Sequence, residues 1–135
     1  MKNRSESREI IVKVLYQKYI FDNSNIDYNL NDLKKELVEV SNEFIDNSLD
    51  GIIKNQEDIT NLANKYLKDW TIDRLSKVDK AILSLGIYEL LYTDTPSIVA
   101  INEAIILAKK YSDDKVVKMI NATLDQIYHN EGKDE

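Results

Sequence analysis

Arg4 and Arg8 stand four residues apart near the start of this chain. On a helix that spacing puts two guanidinium groups on one face, where both can meet a phosphate backbone, and Lys2 extends the face toward the terminus. Tyr16 and Tyr19 follow, flat rings on which an unpaired base can stack. Glu6 and Glu9 lie among the cations, lower the local field and offer them i,i+3 or i,i+4 partners. The pattern therefore admits two readings, an ordinary solvated face and a short nucleic-acid site. Chemistry of other kinds has less to stand on. There is no cysteine, and the one histidine, His129, adjoins the polar tail from Asn130 to Glu135. A nucleophile would lack a base beside it. Gly-rich phosphate loops, H-E-x-x-H and alternating-acid calcium loops are absent. Glu89 and Asp94 could converge as a carboxylate pair, but their spacing reads more simply as helix-end and surface charge. A binding protein is expected rather than an enzyme, with no cofactor and no metal.

Charge is unevenly spread over the 135 residues, whose net value is −6. Residues 1–21 set Lys2, Arg4, Arg8, Lys13 and Lys18 against Glu6 and Glu9, whereas residues 22–60 carry ten acids against Lys34, Lys35 and Lys54. A phosphate backbone would be drawn to one end and repelled elsewhere, which favours one short site over a long track. The composition, 43% hydrophobic and 31% charged with three Gly and one Pro, supports a core and has too few breakers for an all-β or loop-rich architecture. The start, MKNRSESRE, lacks the apolar run of a signal peptide, and no stretch approaches the length of a membrane span. A cytoplasmic protein without membrane contact is expected.

Seven or so helices can position these residues. Ile10, Ile11, Val14, Leu15 and Phe21 recur at helical spacing after Ser5 or Ser7, either of which can cap the start. DNSNIDYNLND reads as a loop because its short polar side chains compete for backbone hydrogen bonds. A short helix over about 31–40 comes next. Ser41 is then placed to cap a long one through Tyr66, with Ile45, Leu49, Ile52, Gln56, Ile59 and Ala63 along a seam. Gly51 in that seam either weakens the helix or admits a close neighbour. Trp70 is expected to plug a joint. Thr71 or Ser76 caps a helix lined on one face by Leu75, Val78, Ile82 and Leu85, and Gly86 within it predicts a tight crossing. Pro96 opens a helix with core positions Ile101, Ala104, Ile105 and Ala108, and Val116, Ile120, Leu124 and Ile127 line the last. The expected fold is all-α, two small packed bundles in one 1–135 unit, an N-terminal lobe of about 1–69 and a C-terminal lobe of about 70–130.

One motif resists a purely apolar reading. In PSIVAINEAIILAKKY, Asn102 and Glu103 interrupt an apolar helix. Either they satisfy free backbone groups and the helix dipole, or Glu103 faces a partner. With REIIVKVLYQ, WTIDRLSKVDKAILSLGIYELL and INATLDQI, this block resembles, in order and spacing over nearly the whole chain, the NusB family of bacterial transcription antitermination factors. Similar blocks occur in the N-terminal domain of some ribosomal-RNA cytosine methyltransferases, for whose catalytic domain 135 residues leave no room.

The resemblance implies an all-helical, non-catalytic adaptor in a ribonucleoprotein acting on RNA polymerase during ribosomal-RNA transcription. It would bind boxA-type single-stranded RNA together with NusE, a small-subunit ribosomal protein. By position, the RNA side would include Lys2, Arg4, Arg8, Tyr16, Lys118 and Asn121. The NusE side would lie around Asp79 and the exposed edge of the first helix, with Glu103 as a further partner-facing candidate. The chain departs from the family pattern at Ser5 and Glu6, where further arginines are usual, at Ala122, where glycine usually follows the asparagine, and at Met119, commonly aromatic. A helical interaction module that has lost RNA binding is the alternative. A homodimer burying the apolar and basic first helix is a further expectation.

Overall fold

The computed structural model describes residues 3–132, so Lys2 lies outside the described residues. Seven α-helices follow one another: α1 (Arg4–Asn23), α2 (Leu30–Leu37), α3 (Glu43–Lys54), α4 (Gln56–Tyr66), α5 (Lys77–Tyr92), α6 (Ser97–Tyr111) and α7 (Asp114–Glu131), with a 3-10 turn at Ile72–Arg74 before α5. Capping explains most of the starts. Asn3, Asn29 and Asn42 accept the Glu6, Asp32 and Ile45 amides, and Ser76 and Asp113 accept those of Asp79 and Val116. The expected caps Ser5, Ser7 and Ser41 are displaced by asparagines one or more residues earlier or later, and Ser41 instead donates to Asp46 at 2.7 Å.

The long seam helix is broken once. Asn55 takes φ −106° and ψ 13°, and its side-chain amide donates to the Gly51 carbonyl at 2.8 Å, competing for a helical acceptor. Gln56 thereby opens α4. It accepts from the Tyr19 hydroxyl at 2.6 Å and donates to Ser84 Oγ at 3.2 Å, so this polar seam member ties α1, α4 and α5 together. Gly51 serves close approach: a Cβ there would run into the Tyr88 ring.

Helix α5 is the axle. Every residue from Ala81 to Ile87 is buried, because α1, α3, α4, α6 and α7 all pack on it, and a helix covered on all sides needs no polar face. The single apolar face expected from Leu75, Val78, Ile82 and Leu85 is therefore only part of its buried surface. At Gly86 a Cβ would meet Leu124 at 3.1 Å and Ala104 at 3.4 Å, the tight crossing expected there. Helices from both halves of the chain share one continuous core through α5. Trp70 does not plug the joint: it is 38% exposed with the Arg74 guanidinium 5.3 Å from its ring centroid, whereas nearby Ile72 is fully buried. On α1, Ile11, Val14 and Leu15 lie in the chain's own core, and Tyr16 stays exposed.

Candidate nucleic-acid interface

Arg8 is the first correction. Its guanidinium was expected beside that of Arg4 on an open face, yet the residue is 3% exposed. Nε and Nη2 each donate to Glu89 at 2.8 Å, and Nη1 lies 3.4 Å from Glu103. Glu89, expected at the surface, is buried as well. Burial alone would lower the Arg8 pKa, but the hydrogen bonds and charge of Glu89, with Glu103 behind them, outweigh it and hold the group above its ordinary value. The fork matches the carboxylate geometrically, which is why this pair joins α1 to α5 so well. Glu103 also accepts from Ser5 Oγ at 2.8 Å. Its carboxylate closes α6 onto α1, while Asn102 stays exposed on the outside of α6.

Arg4 remains at the surface, its guanidinium 4.7 Å from the Phe44 ring centroid at a groove of about 380 Å³ shared with Glu43, Asn47 and Asp94. Tyr16 lies twelve residues further along α1, about 18 Å at the helical rise, in a different groove. There Val12, Lys13, Tyr16, Val78 and Tyr111 enclose about 310 Å³ of mainly apolar space. Glu9 fixes one wall by accepting from Lys110 Nζ at 2.6 Å and from the Tyr111 hydroxyl. The hydrogen bonds from Lys110 and Tyr111 hold the Glu9 carboxyl below its usual range, and burial together with Glu9 pushes the Tyr111 phenol up to about 12.

Asp79 is the second correction. It is 7% exposed, its N–H donates to Ser76 Oγ at 3.2 Å, and its carboxylate accepts from Ser112 Oγ. It therefore builds the corner between α5 and α6 and has little surface of its own to offer a partner. Beyond that corner a third groove of about 270 Å³ is lined by Trp70, Arg74, Asp79, Lys115 and Met119 among others. Lys118 and Asn121 are exposed on the neighbouring turns of α7. The Val78–Asp79 step of α5 and the Tyr111–Ser112 end of α6 thus separate an apolar groove from one edged by an aromatic ring and two cations. Sequence reasoning missed Trp70, Arg74, Lys115 and Tyr111 as members of this surface. The only available signal was a tryptophan four residues before an arginine, and neither sits in a regular helix.

Among the described residues no three His, Cys, Asp or Glu side chains converge as a metal site, and no helix is long and apolar enough to cross a membrane. Residues 5–129 match the model of the NusB family. A transcription antitermination protein NusB from Macrococcus caseolyticus is 39% identical over 130 residues, covering 95% of this chain and 98% of the relative. One from Acetivibrio thermocellus is 40% identical, covering 98% of each. Among solved structures, T. maritima NusB superposes with a TM-score of 0.84 at 30% identity, over 98% of this chain and 94% of the other. A crystal structure of antitermination factors NusB and NusE in complex with dsRNA contains a chain that superposes at 0.78 with 29% identity, over 93% of this chain and 96% of that one.

Proposed function

The chain belongs to the NusB family, and from that premise we propose that it is an RNA-binding transcription antitermination factor. In this reading it binds boxA-type single-stranded RNA together with NusE, within a ribonucleoprotein acting on RNA polymerase in ribosomal-RNA transcription. The observation that carries the reading is the pair of adjoining grooves around the start of α5, one apolar and one edged by a ring and cations. Apolar space lined by Val12, Tyr16, Val78 and Tyr111 suits a protein side chain, and it adjoins Asp79 and the exposed edge of α1, where the NusE side is expected. Trp70, with Arg74 and Lys115 in the same groove and Lys118 exposed further along α7, suits a short strand of RNA, the ring for stacking and the cations for phosphates.

Asn121 adds an exposed amide that can hydrogen-bond a base edge, and Tyr16 lines the apolar groove. Arg4 extends the basic surface at the other end of α1. Arg8 leaves the contact set and becomes a positioning residue that fixes α1 against α5. No substrate is turned over in this mechanism. NusE and RNA engage adjoining surfaces, so each raises the effective concentration of the other's site, which matters when few cations contact phosphate.

The test is fluorescence anisotropy of a labelled boxA-type RNA, with and without NusE, across a salt series. Three cations on phosphate predict a slope of about −2 in log affinity against log salt. Binding should tighten with NusE and weaken in Arg74→Glu and Lys118→Glu. A folded protein that binds NusE but shows no salt-dependent RNA binding would replace this reading with that of a protein-interaction module.

A further inference from the structure

The far end of α5 carries a surface that the proposed RNA and NusE grooves do not use. Those grooves lie around Val78 and Asp79 at the helix start, and Tyr92 ends the helix about 22 Å from Lys77 at the helical rise. Tyr88 and Tyr92, one turn apart, stack with ring centroids 5.8 Å apart and planes 10° from parallel. The inner ring is fixed: Tyr88 packs against Gly51, and its hydroxyl donates to the Asn47 carbonyl at 3.3 Å. The outer ring is open. Tyr92 is 42% exposed, the most exposed aromatic side chain among the described residues.

Elsewhere in this chain cations settle on aromatic faces. Arg4 lies over Phe44, Arg74 over Trp70 and Lys80 over Tyr19, the last 4.4 Å from the ring centroid. Among the described residues no cation lies over Tyr88 or Tyr92, although carboxylates gather there. The groove of about 380 Å³ that Tyr88 lines is also lined by exposed Glu43, Asn47 and Asp94, and Arg4 is its only cation. Asp50 of α3 and Asp58 of α4, both exposed, bear on the rings as well. Burial raises both phenols, and the charges of Glu89 and Asp50 add to it at Tyr88, that of Asp58 at Tyr92.

An open aromatic face flanked by carboxylates attracts a planar cation and repels phosphate. We propose that the Tyr88–Tyr92 end of α5 is a docking site for an arginine-bearing segment of a protein partner. A guanidinium of that segment stacks on the outer face of Tyr92 and pairs with Asp58, and further basic residues run along the groove past Asn47 toward Glu43 and Asp94. Arginine suits the site better than lysine, because its flat fork can stack on a ring and bond a carboxylate at once. The contact is small and open to solvent, so it is weak and screened by salt, with a dissociation constant on the order of 0.1 mM at low salt. The RNA and NusE grooves at the other end of α5 stay open while it is occupied. Docking here and the antitermination reading therefore stand or fall separately.

Fluorescence anisotropy of a labelled peptide of alternating arginine and glycine tests this, with the lysine analogue and spermidine as comparisons. The unmodified protein should bind the arginine peptide more tightly than the lysine one, and rising salt should weaken both. Tyr92→Ala should lower the affinity about two- to fivefold with an unchanged helical circular dichroism spectrum, whereas Tyr92→Phe, which keeps the ring, should retain it. Asp58→Asn with Asp94→Asn should weaken binding about threefold more than Glu36→Gln with Asp125→Asn, which removes the same charge from exposed sites on α2 and α7. No binding at about 1 mM peptide overturns the proposal. So does an affinity that Tyr92→Ala leaves unchanged, or one that falls equally in the two double variants and so follows net charge alone. Spermidine that displaces the arginine peptide at equal concentration would assign the site to a free polyamine and overturn it too.

Discussion

Arg8→Ala should destabilise the fold by about 3–5 kcal/mol, although the residue sits in a segment that reads as a basic surface arm. Removing the guanidinium strands Glu89, which is 1% exposed, and leaves Glu103 without its cation. Breaking a buried pair by deleting one partner costs about 3–5 kcal/mol, since the remaining charge is neither solvated nor neutralised. Against a total stability of about 5–15 kcal/mol that is a substantial fraction, and in a chain of this size it corresponds to a fall of roughly 10–20 °C in Tm. The Phe44 ring, 5.3 Å from the Arg8 guanidinium, loses one of its two cations as well and keeps Arg4.

Far-UV circular dichroism during heating and urea titration measures this directly. The double variant Arg8→Met with Glu89→Met removes both buried charges and should be less destabilised than Arg8→Ala, because apolar replacement of a buried pair is often close to neutral. An Arg8→Ala cost below about 1 kcal/mol would refute the reasoning, since a solvent-exposed pair is worth that little. RNA titrations of Arg8 variants report first on folding, whereas variants of exposed Arg74 and Lys118 report on the surface.

Two further outcomes follow from the same geometry. The Glu9 clasp predicts loss of stability at both ends of the pH range. Its lowered carboxyl contributes stability that is present above the ordinary value of 4.5 and lost as pH falls through the folded value. The raised Tyr111 phenol contributes stability that is present below 10 and lost as pH rises toward about 12. Glu9→Gln should flatten both edges of the Tm against pH curve, and an unchanged curve would show that the clasp does not form in solution. At Gly86 the neighbouring Leu124 and Ala104 carbons leave no room for branching, so Gly86→Val should cost about 1–3 kcal/mol in urea denaturation. No measurable loss would mean that α5 and α7 are further apart than described.

Helix number, order and core faces were legible in the sequence because they depend on local periodicity. Ile11 with Val14 and Leu15, Ile45 with Leu49 and Ile52, and Ile120 with Leu124 and Ile127 are all buried as their spacing requires. Gly51 and Gly86 also spoke locally, since a glycine inside a helix has little reason to be there except close approach. Which of two nearby polar residues caps a helix was less legible: asparagine and serine are about equally good, and the choice depends on where the preceding loop delivers the chain.

The functional surface divides along the same line. The types and spacing of Arg4, Arg8 and Tyr16 announce a basic, aromatic first helix, and nothing local distinguishes the two arginines. Only the packing of α5 and α6 across α1 decides that Arg8 meets Glu89, eighty-one residues away, while Arg4 stays in water. Likewise Asp79 becomes a buried corner because Ser112 arrives opposite it, and Trp70 joins Met119 because α7 returns beside the 3-10 turn. Sequence by itself determines what each helix must bury, since that is set by residues three and four apart. Which charges are neutralised and which remain for a ligand depends on groups distant in the chain, and only the tertiary structure brings those together.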